Sequence, residues 1–441
     1  MRLPILSISL VLVASAAPVP KEVTFHKDVE PLLQARCQTC HRPGEAAPMS
    51  LLSYSEARPW AKAIKQAVLA RKMPPWFADP AHGSFANDRR LSQQEIETLV
   101  AWADSGAKEG DPRTAPAPLT FTEGWAMGKP DLVLEMPEPY HVPASGTVDY
   151  TYFVVPTGFT EDRWVEQVEV RPGNKAVVHH VVMIVRPPGA KYVPEAPVGK
   201  AYVPPKRQSA HKPDTGEGAL QGGQGGIEIA GVYVPGGLPY VLKPGQARLI
   251  PKGSDLIFQM HYTTNGKAGD DRSRAGFIFA KEPPRERVVN AYVSNMNLHI
   301  AAQAADQQVN ARVRLYQDTQ LLAMFPHMHV RGKSFEYRAT YPSGESETLL
   351  TVPRYDFNWQ LTYYLQQPKL LPKGTVIECI AHYDNSPNNP YNPDPNSEVY
   401  WGDQTWEEML AGFVDLSMPV TVNIQDIATP KKTESAAGGA Q

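Results

Sequence analysis

Ile250-Pro-Lys-Gly-Ser254 runs into Gln259-Met-His261-Tyr262, and further along the chain Leu371-Pro-Lys-Gly-Thr375 runs into Ile380-Ala-His382-Tyr383. In both copies the His follows the Lys by nine positions. A Pro-Lys-Gly turn that opens an apolar run is a turn-and-strand signature. Its recurrence implies two tandem β domains of similar plan, meeting near 282–287. The surrounding sequence agrees, with short alternating runs at 131–136, 150–155, 165–170 and 176–185 set between turn residues. Proline supplies 43 of 441 residues, about double its usual share, which favours turn-dense β architecture over helical bundles. A chain of this length exceeds one ordinary core, so two or three domains are expected. Residues 186–251 form a Pro/Gly-rich excursion that includes Gln221-Gly-Gly-Gln-Gly-Gly226. Loops this long inside compact domains are usually functional or mobile.

Ahead of the β region, 22–111 reads as a small helical domain. Val29, Leu32 and Leu33 make one apolar stripe, and Trp60, Ile64 and Val68 make a second whose helix is expected to stop at Met73, before Pro74-Pro75. Ser92-Gln-Gln-Glu95 is a capping box that opens a third helix, with Ile96, Leu99, Val100 and Ala103 on one face and Gly106 at its end. Between the first two helices stands Cys37-Gln-Thr-Cys40-His41, a c-type haem attachment motif in which both thiols bond the haem and the histidine can ligate its iron. A zinc site would need a second cysteine pair, and the chain has three cysteines in all. The remaining one, Cys379, reads as a buried strand thiol. Met73 is the expected second axial ligand, held in an extended loop by the prolines; His82 is the alternative, and Met49 lies too near His41 in sequence to reach the other haem face. The stretch resembles a class I type cytochrome c domain.

Residues 1–17 carry one arginine, an apolar run from Leu3 to Val13 and Ala14-Ser15-Ala16, which reads as a secretory signal peptide. Export to the periplasm or beyond is therefore expected, as haem attachment requires. No other apolar run approaches the ~20 residues of a membrane span. A net charge of −3 leaves no basic footprint for nucleic acid. Residues 112–128 read as a Pro/Ala/Thr-rich linker and 426–441 as a disordered polar tail.

Four further groups complete the pattern: His179-His180, His261, the pair His327-Met-His329 at the end of an apolar run from Leu321, and Met409. Side chains two apart on a strand share a face, so His327 and His329 can close on one ion. Imidazole suits zinc, copper, iron and nickel alike. His179 and His180 would face opposite ways on a regular strand, and both reach one ion only at a bulge or a strand end. Single histidines such as His26, His141, His211 and His299 read as ordinary core or surface residues.

In their order along the chain, Val177-Val-His179-His180, Phe258-Gln-Met-His261, Pro326-His327-Met-His329 and Glu407-Glu-Met409 resemble the copper type II monooxygenases, the family of the peptidylglycine α-hydroxylating and dopamine β-monooxygenases. The resemblance covers 129–416. It implies one copper on His179, His180 and His261 that relays electrons, and a second on His327, His329 and Met409 where dioxygen is activated. A thioether favours Cu(I), which suits a site reduced before it meets oxygen. His382 is the repeat-equivalent of His261, but the second site already has three ligands. In the peptide-amidating branch an Arg, an Asn and a Tyr hold the peptide carboxylate; here those positions are Phe325, Ala411 and Phe413, which speaks against a peptidylglycine substrate and for a more apolar one.

The expected protein is thus a small all-α cytochrome c domain (22–111) followed, after the 112–128 linker, by two tandem antiparallel β-sandwich domains of jelly-roll type (129–286 and 287–425). Its expected function is copper-dependent hydroxylation of a small apolar molecule with dioxygen, with one covalent haem c, two coppers and a periplasmic electron donor. A non-catalytic electron-transfer or copper-binding haem protein on the same scaffold is the alternative.

Overall fold

The computed structural model describes residues 22–45, 47–122, 124–205, 218–221, 227–237 and 241–429. The expected signal peptide, the glycine run 222–226 and the last residues of the tail lie outside the described residues. The chain divides into two compact units, one comprising the residues up to Pro75 with Arg89–Thr120, the other Trp76–Asp88 with the residues from Phe121.

The first unit is helical. Glu30–Arg36, Tyr54–Ala57, Ala61–Leu69 and Gln93–Asp104 surround a core of Phe25, Val29, Leu33, Val68, Leu99 and Trp102. Ser92 and Glu95 cap the last helix reciprocally. The helix expected to run to Met73 closes earlier. Arg71 takes a positive φ of 50°, Lys72 N–H bonds the Ala67 carbonyl at 2.9 Å and Arg71 N–H bonds that of Val68 at 3.1 Å. That double closure is a Schellman ending, which local backbone chemistry sets ahead of the prolines. No helix among the described residues is long and apolar enough to cross a membrane.

The second unit is almost all β. One long sheet runs, in order, through Leu132–Glu135, Arg274–Phe279, Arg163–Arg171, Gln246–Ile250, Glu286–Ser294, Ala411–Pro419, Thr319–His327 and Tyr363–Leu371. Its pairs are antiparallel except where Glu286 and Arg287 meet Gln246 and Ala247 in parallel register. Two four-stranded sheets accompany it. One is ordered Thr151–Pro156, Asp255–Tyr262, Val178–Arg186, Glu228–Tyr233; the other Gln307–Arg314, Val376–Tyr383, Gly332–Thr340, Ser346–Val352. Each smaller sheet closes its own apolar core, the first around Phe153, Phe258 and Phe277, the second around Phe335, Tyr337 and Tyr383.

The repeated Pro-Lys-Gly turns open the inner strands of those two sheets. Gly253 (φ 70°) and Gly374 (φ 95°) make the left-handed step, and Asp255–Tyr262 and Val376–Tyr383 follow, each flanked by a strand on both sides. The correspondence extends to an irregularity. Opposite Tyr262 and His261 the pairing jumps from Val178 to His180; opposite Tyr383 and His382 it jumps from Gly332 to Ser334. His179 and Lys333 are the extra residues of two matching bulges.

Residues 76–88, within the stretch expected to be helical, pack on the β unit instead. Trp76 and Phe85 are buried against Tyr363, with ring centroids 4.9 and 5.5 Å from it. Ala86 N–H bonds the Tyr364 carbonyl at 2.8 Å and Gln366 N–H that of Ser84 at 2.9 Å, so the strap covers an otherwise open sheet edge. The end of the expected linker is also held: Trp125 lies under the guanidinium groups of Arg171 and Arg274.

Candidate metal centre

Either face of the regular Val178–Arg186 strand would carry only one of two adjacent histidines. The bulge turns His179 back to the side of His180, and His261 stands opposite His180 on the neighbouring strand. The three Nδ1 atoms converge, at 3.2 Å for His179–His180, 3.2 Å for His179–His261 and 3.3 Å for His180–His261. These are not three hydrogen bonds. A neutral Nδ1 either donates or accepts, so among three mutual contacts at least one pair must be alike. Two imidazole nitrogens held about 2.0–2.1 Å from one tetrahedral ion stand about 3.3–3.4 Å apart. The triad can therefore hold a metal ion.

Burial, reinforced by the neighbouring imidazoles, lowers the pKa of His261 to about 3 and that of His180 well below its ordinary value. Burial also lowers His179, an effect that the adjacent Asn358 backbone partly offsets. All three rings are neutral at physiological pH, which is the form that ligates.

His327 ends the Thr319–His327 strand and His329 lies just past it. His327 Nδ1–H donates to Gln360 Oε1 at 2.6 Å, and His329 Nδ1–H donates to the Glu407 carbonyl at 3.1 Å. Both tautomers are thereby set, and each ring keeps its Nε2 lone pair for a ligand. Burial lowers His327 to about 4 and His329 to about 3.

A polar lock positions Met409 beside them. The carboxylate of Glu408, fully buried, accepts His329 N–H at 2.8 Å and Arg331 N–H at 2.6 Å. Arg331 in turn donates to the Trp406 carbonyl at 2.9 Å and to Asn385 Oδ1 at 2.8 Å. Burial lifts the Glu408 pKa to about 7 against the pull of those backbone donors.

His180, His327, His329 and Met409 line one cavity of about 420 Å³. One wall is the outer face of the first small sheet, where Val182 and Ile184 continue from His180. The other is the long sheet, with Phe325 paired to Phe413 and His327 to Ala411 across neighbouring strands. The Phe325 and Phe413 rings are 5.5 Å apart, and His327 is 6.1 Å from Phe413. The Pro/Gly-rich excursion contributes Tyr192, Ile227 and Ile229 to the lining.

His382 is elsewhere, paired at 3.0 Å with the exposed Asp306. His26 bonds Glu30 and His141 bonds Asp270; His211 lies outside the described residues. Gln360 and Phe357 had no sequence signal: each is an ordinary residue in a loop, and only the fold brings it to a histidine.

In the helical unit, Cys37 and Cys40 stand in the turn after Glu30–Arg36 with no disulfide between them, and His41 N–H bonds the Cys37 carbonyl at 2.9 Å. Burial pushes the Cys37 thiol up to about 12. The His41 Nδ1 is buried without a well-formed hydrogen bond, and burial lowers its pKa. Two thiols with no disulfide between them and a buried imidazole are the donor types that a covalent haem would take. Met73 is half-buried in the turn after Ala61–Leu69, while His82 belongs to the strap on the β unit.

No known protein family and no curated protein matches the sequence. Among solved structures, the VP2 subviral particle of infectious bursal disease virus aligns at 7% identity over 68% of this chain and 74% of that one, with a TM-score of 0.20. The Gx strain of the same virus aligns at 8% identity over 68% and 75%, with a TM-score of 0.19. Alignments at these scores carry no argument about fold or function.

Proposed function

We propose that this protein is a copper-dependent monooxygenase with a covalently attached c-type haem, acting on a small apolar molecule in the cavity beside His327. The observation that carries the reading is the triangle of Nδ1 atoms at His179, His180 and His261, spaced for one ion, opening on the same cavity as a second histidine pair. When bound, copper supplies one-electron and dioxygen chemistry, and the haem supplies electrons.

The protein's own residues do the rest. His179, His180 and His261 offer three neutral nitrogens and no thiolate. His327 and His329 present Nε2, with Gln360 and the Glu407 carbonyl holding the opposite proton of each ring. Met409 adds a soft thioether that favours the reduced metal. Phe325, Ala411 and Phe413 provide no partner for a charged group, and with Val182 and Ile184 they give the cavity apolar surface beside His327. Cys37, Cys40 and His41 would hold the haem, and Met73 would offer it a thioether.

Copper and haem counts test the proposal. Purified protein reconstituted with copper(I) should hold two coppers and one haem that resists acid-acetone extraction. Replacing His261 by Ala should remove one copper and leave the other. A reconstituted chain that retains no copper would sink the reading.

A further inference from the structure

One loop touches both histidine clusters. It joins the strands Ser346–Val352 and Tyr363–Leu371, in the second half of the β unit. Gln360, nearly fully buried, accepts the His327 Nδ1–H hydrogen bond as described, and its Nε2 donates to the Phe357 carbonyl at 3.2 Å. Tyr355 OH donates to the Met328 carbonyl at 2.7 Å and accepts Met328 N–H at 3.1 Å, between the two histidines of the pair. Asp356 closes the turn, accepting Asn358 N–H at 2.9 Å on its side chain and Trp359 N–H at 2.9 Å on its carbonyl.

From this frame the Phe357 ring reaches three imidazoles. Its centroid is 6.2 Å from His179, near-parallel at 23°, 5.8 Å from His261 and 6.4 Å from His329, edge-on at 82°. Two of these belong to the first cluster and one to the second. Aromatic pairs at such separations have preferred orientations, so one rigid ring restrains imidazole planes on both sides.

We propose that Phe357 is a positioning residue shared by both metal sites, and that the Tyr355–Gln360 loop clasps them into one unit. This rests on the copper reading above. Gln360 acts on the second site alone, through His327; Phe357 acts on both, though it ligates neither.

Copper(I) affinity, read by chelator competition, tests the assignment in two backgrounds. His261→Ala leaves the second site; His327→Ala with His329→Ala leaves the first. Adding Phe357→Ala should weaken copper about 10- to 100-fold in each background, the range for loss of a supporting residue. Adding Gln360→Ala should do so only in the His261→Ala background. Phe357→Tyr keeps the ring and should restore affinity in both. Circular dichroism of the metal-free variants checks that each is folded, and Phe357→Leu replaces any Ala variant that is not. Parent affinities retained by Phe357→Ala, or a loss confined to one background, would overturn the clasp while leaving the copper reading intact. Wild-type protein that binds no copper would end both.

Discussion

Glu408 shows how much a single side chain can organise here. Its two oxygens take backbone donors from His329 and Arg331, and Met409 follows it in the chain. Glu408→Gln keeps one oxygen but turns an NH₂ group toward a backbone N–H. Leaving one buried donor unsatisfied should cost about 1–3 kcal/mol in denaturant unfolding of the metal-free protein. Titration gives a second prediction. The carboxyl is raised to about 7, so between the unfolded value near 4.5 and 7 the folded state holds a proton that the unfolded chain lacks, and this group alone makes stability fall as pH rises. The five cluster histidines act oppositely. Their folded values are depressed, to about 3 for His261 and His329 and about 4 for His327, so their contribution is complete above about 6.5 and is lost as pH falls toward those values. Five groups outweigh one, and the metal-free protein should lose stability steadily from pH 6.5 to 4. Urea midpoints across that range check it; a flat profile would contradict neutral buried imidazoles. Met409→His should retain copper at the second site but raise its Cu(II) affinity relative to Cu(I), because an imidazole replaces a soft thioether. An unchanged ratio would mean that Met409 only packs.

At the scale of elements, the strap on the Tyr363–Leu371 edge is the least expected feature. Trp76→Ala removes a nearly buried ring from Phe85 and Tyr363, and should cost about 3–5 kcal/mol in unfolding of the β unit. A change under 1 kcal/mol would mean that the edge stands without it. The sequence carried no sign of this docking, since a Trp after two prolines reads as a loop wherever its partner stands. Elements whose signals are local were legible: the Ser92/Glu95 capping box, the strand periodicity and the repeated Pro-Lys-Gly turns. The histidines that the fold gathers were legible too, because His-His and His-x-His are patterns in themselves. Their supports were not. Gln360 reaches His327, and Phe357 reaches three rings, only through tertiary folding.

Across the whole β unit, the long sheet joins what the repeat divides. The short strand Ala219–Gln221 crosses to pair with Glu286–Ser294, and Arg248 bonds Asp415 at 2.7 Å with both side chains largely buried. Breaking a buried ion pair by removing one partner leaves a charge without compensation. The two halves should therefore unfold together, in one calorimetric transition for the β unit. Two resolved transitions, with the second surviving Arg248→Ala, would show independent folding.

The paired bulges have a consequence for engineering. Lys333 and Ser334 stand where His179 and His180 stand, and His382 where His261 does. Lys333 and His382 already meet, at 3.3 and 3.0 Å, on the carboxylate of Asp306. One half thus carries the outline of the other half's histidine cluster with two of its three histidines replaced. The outline should still work as a template: Lys333→His with Ser334→His rebuilds three imidazoles around a bulge, on an open face. That double variant should bind one more zinc or nickel ion per chain than its parent, and His382→Ala should abolish the gain.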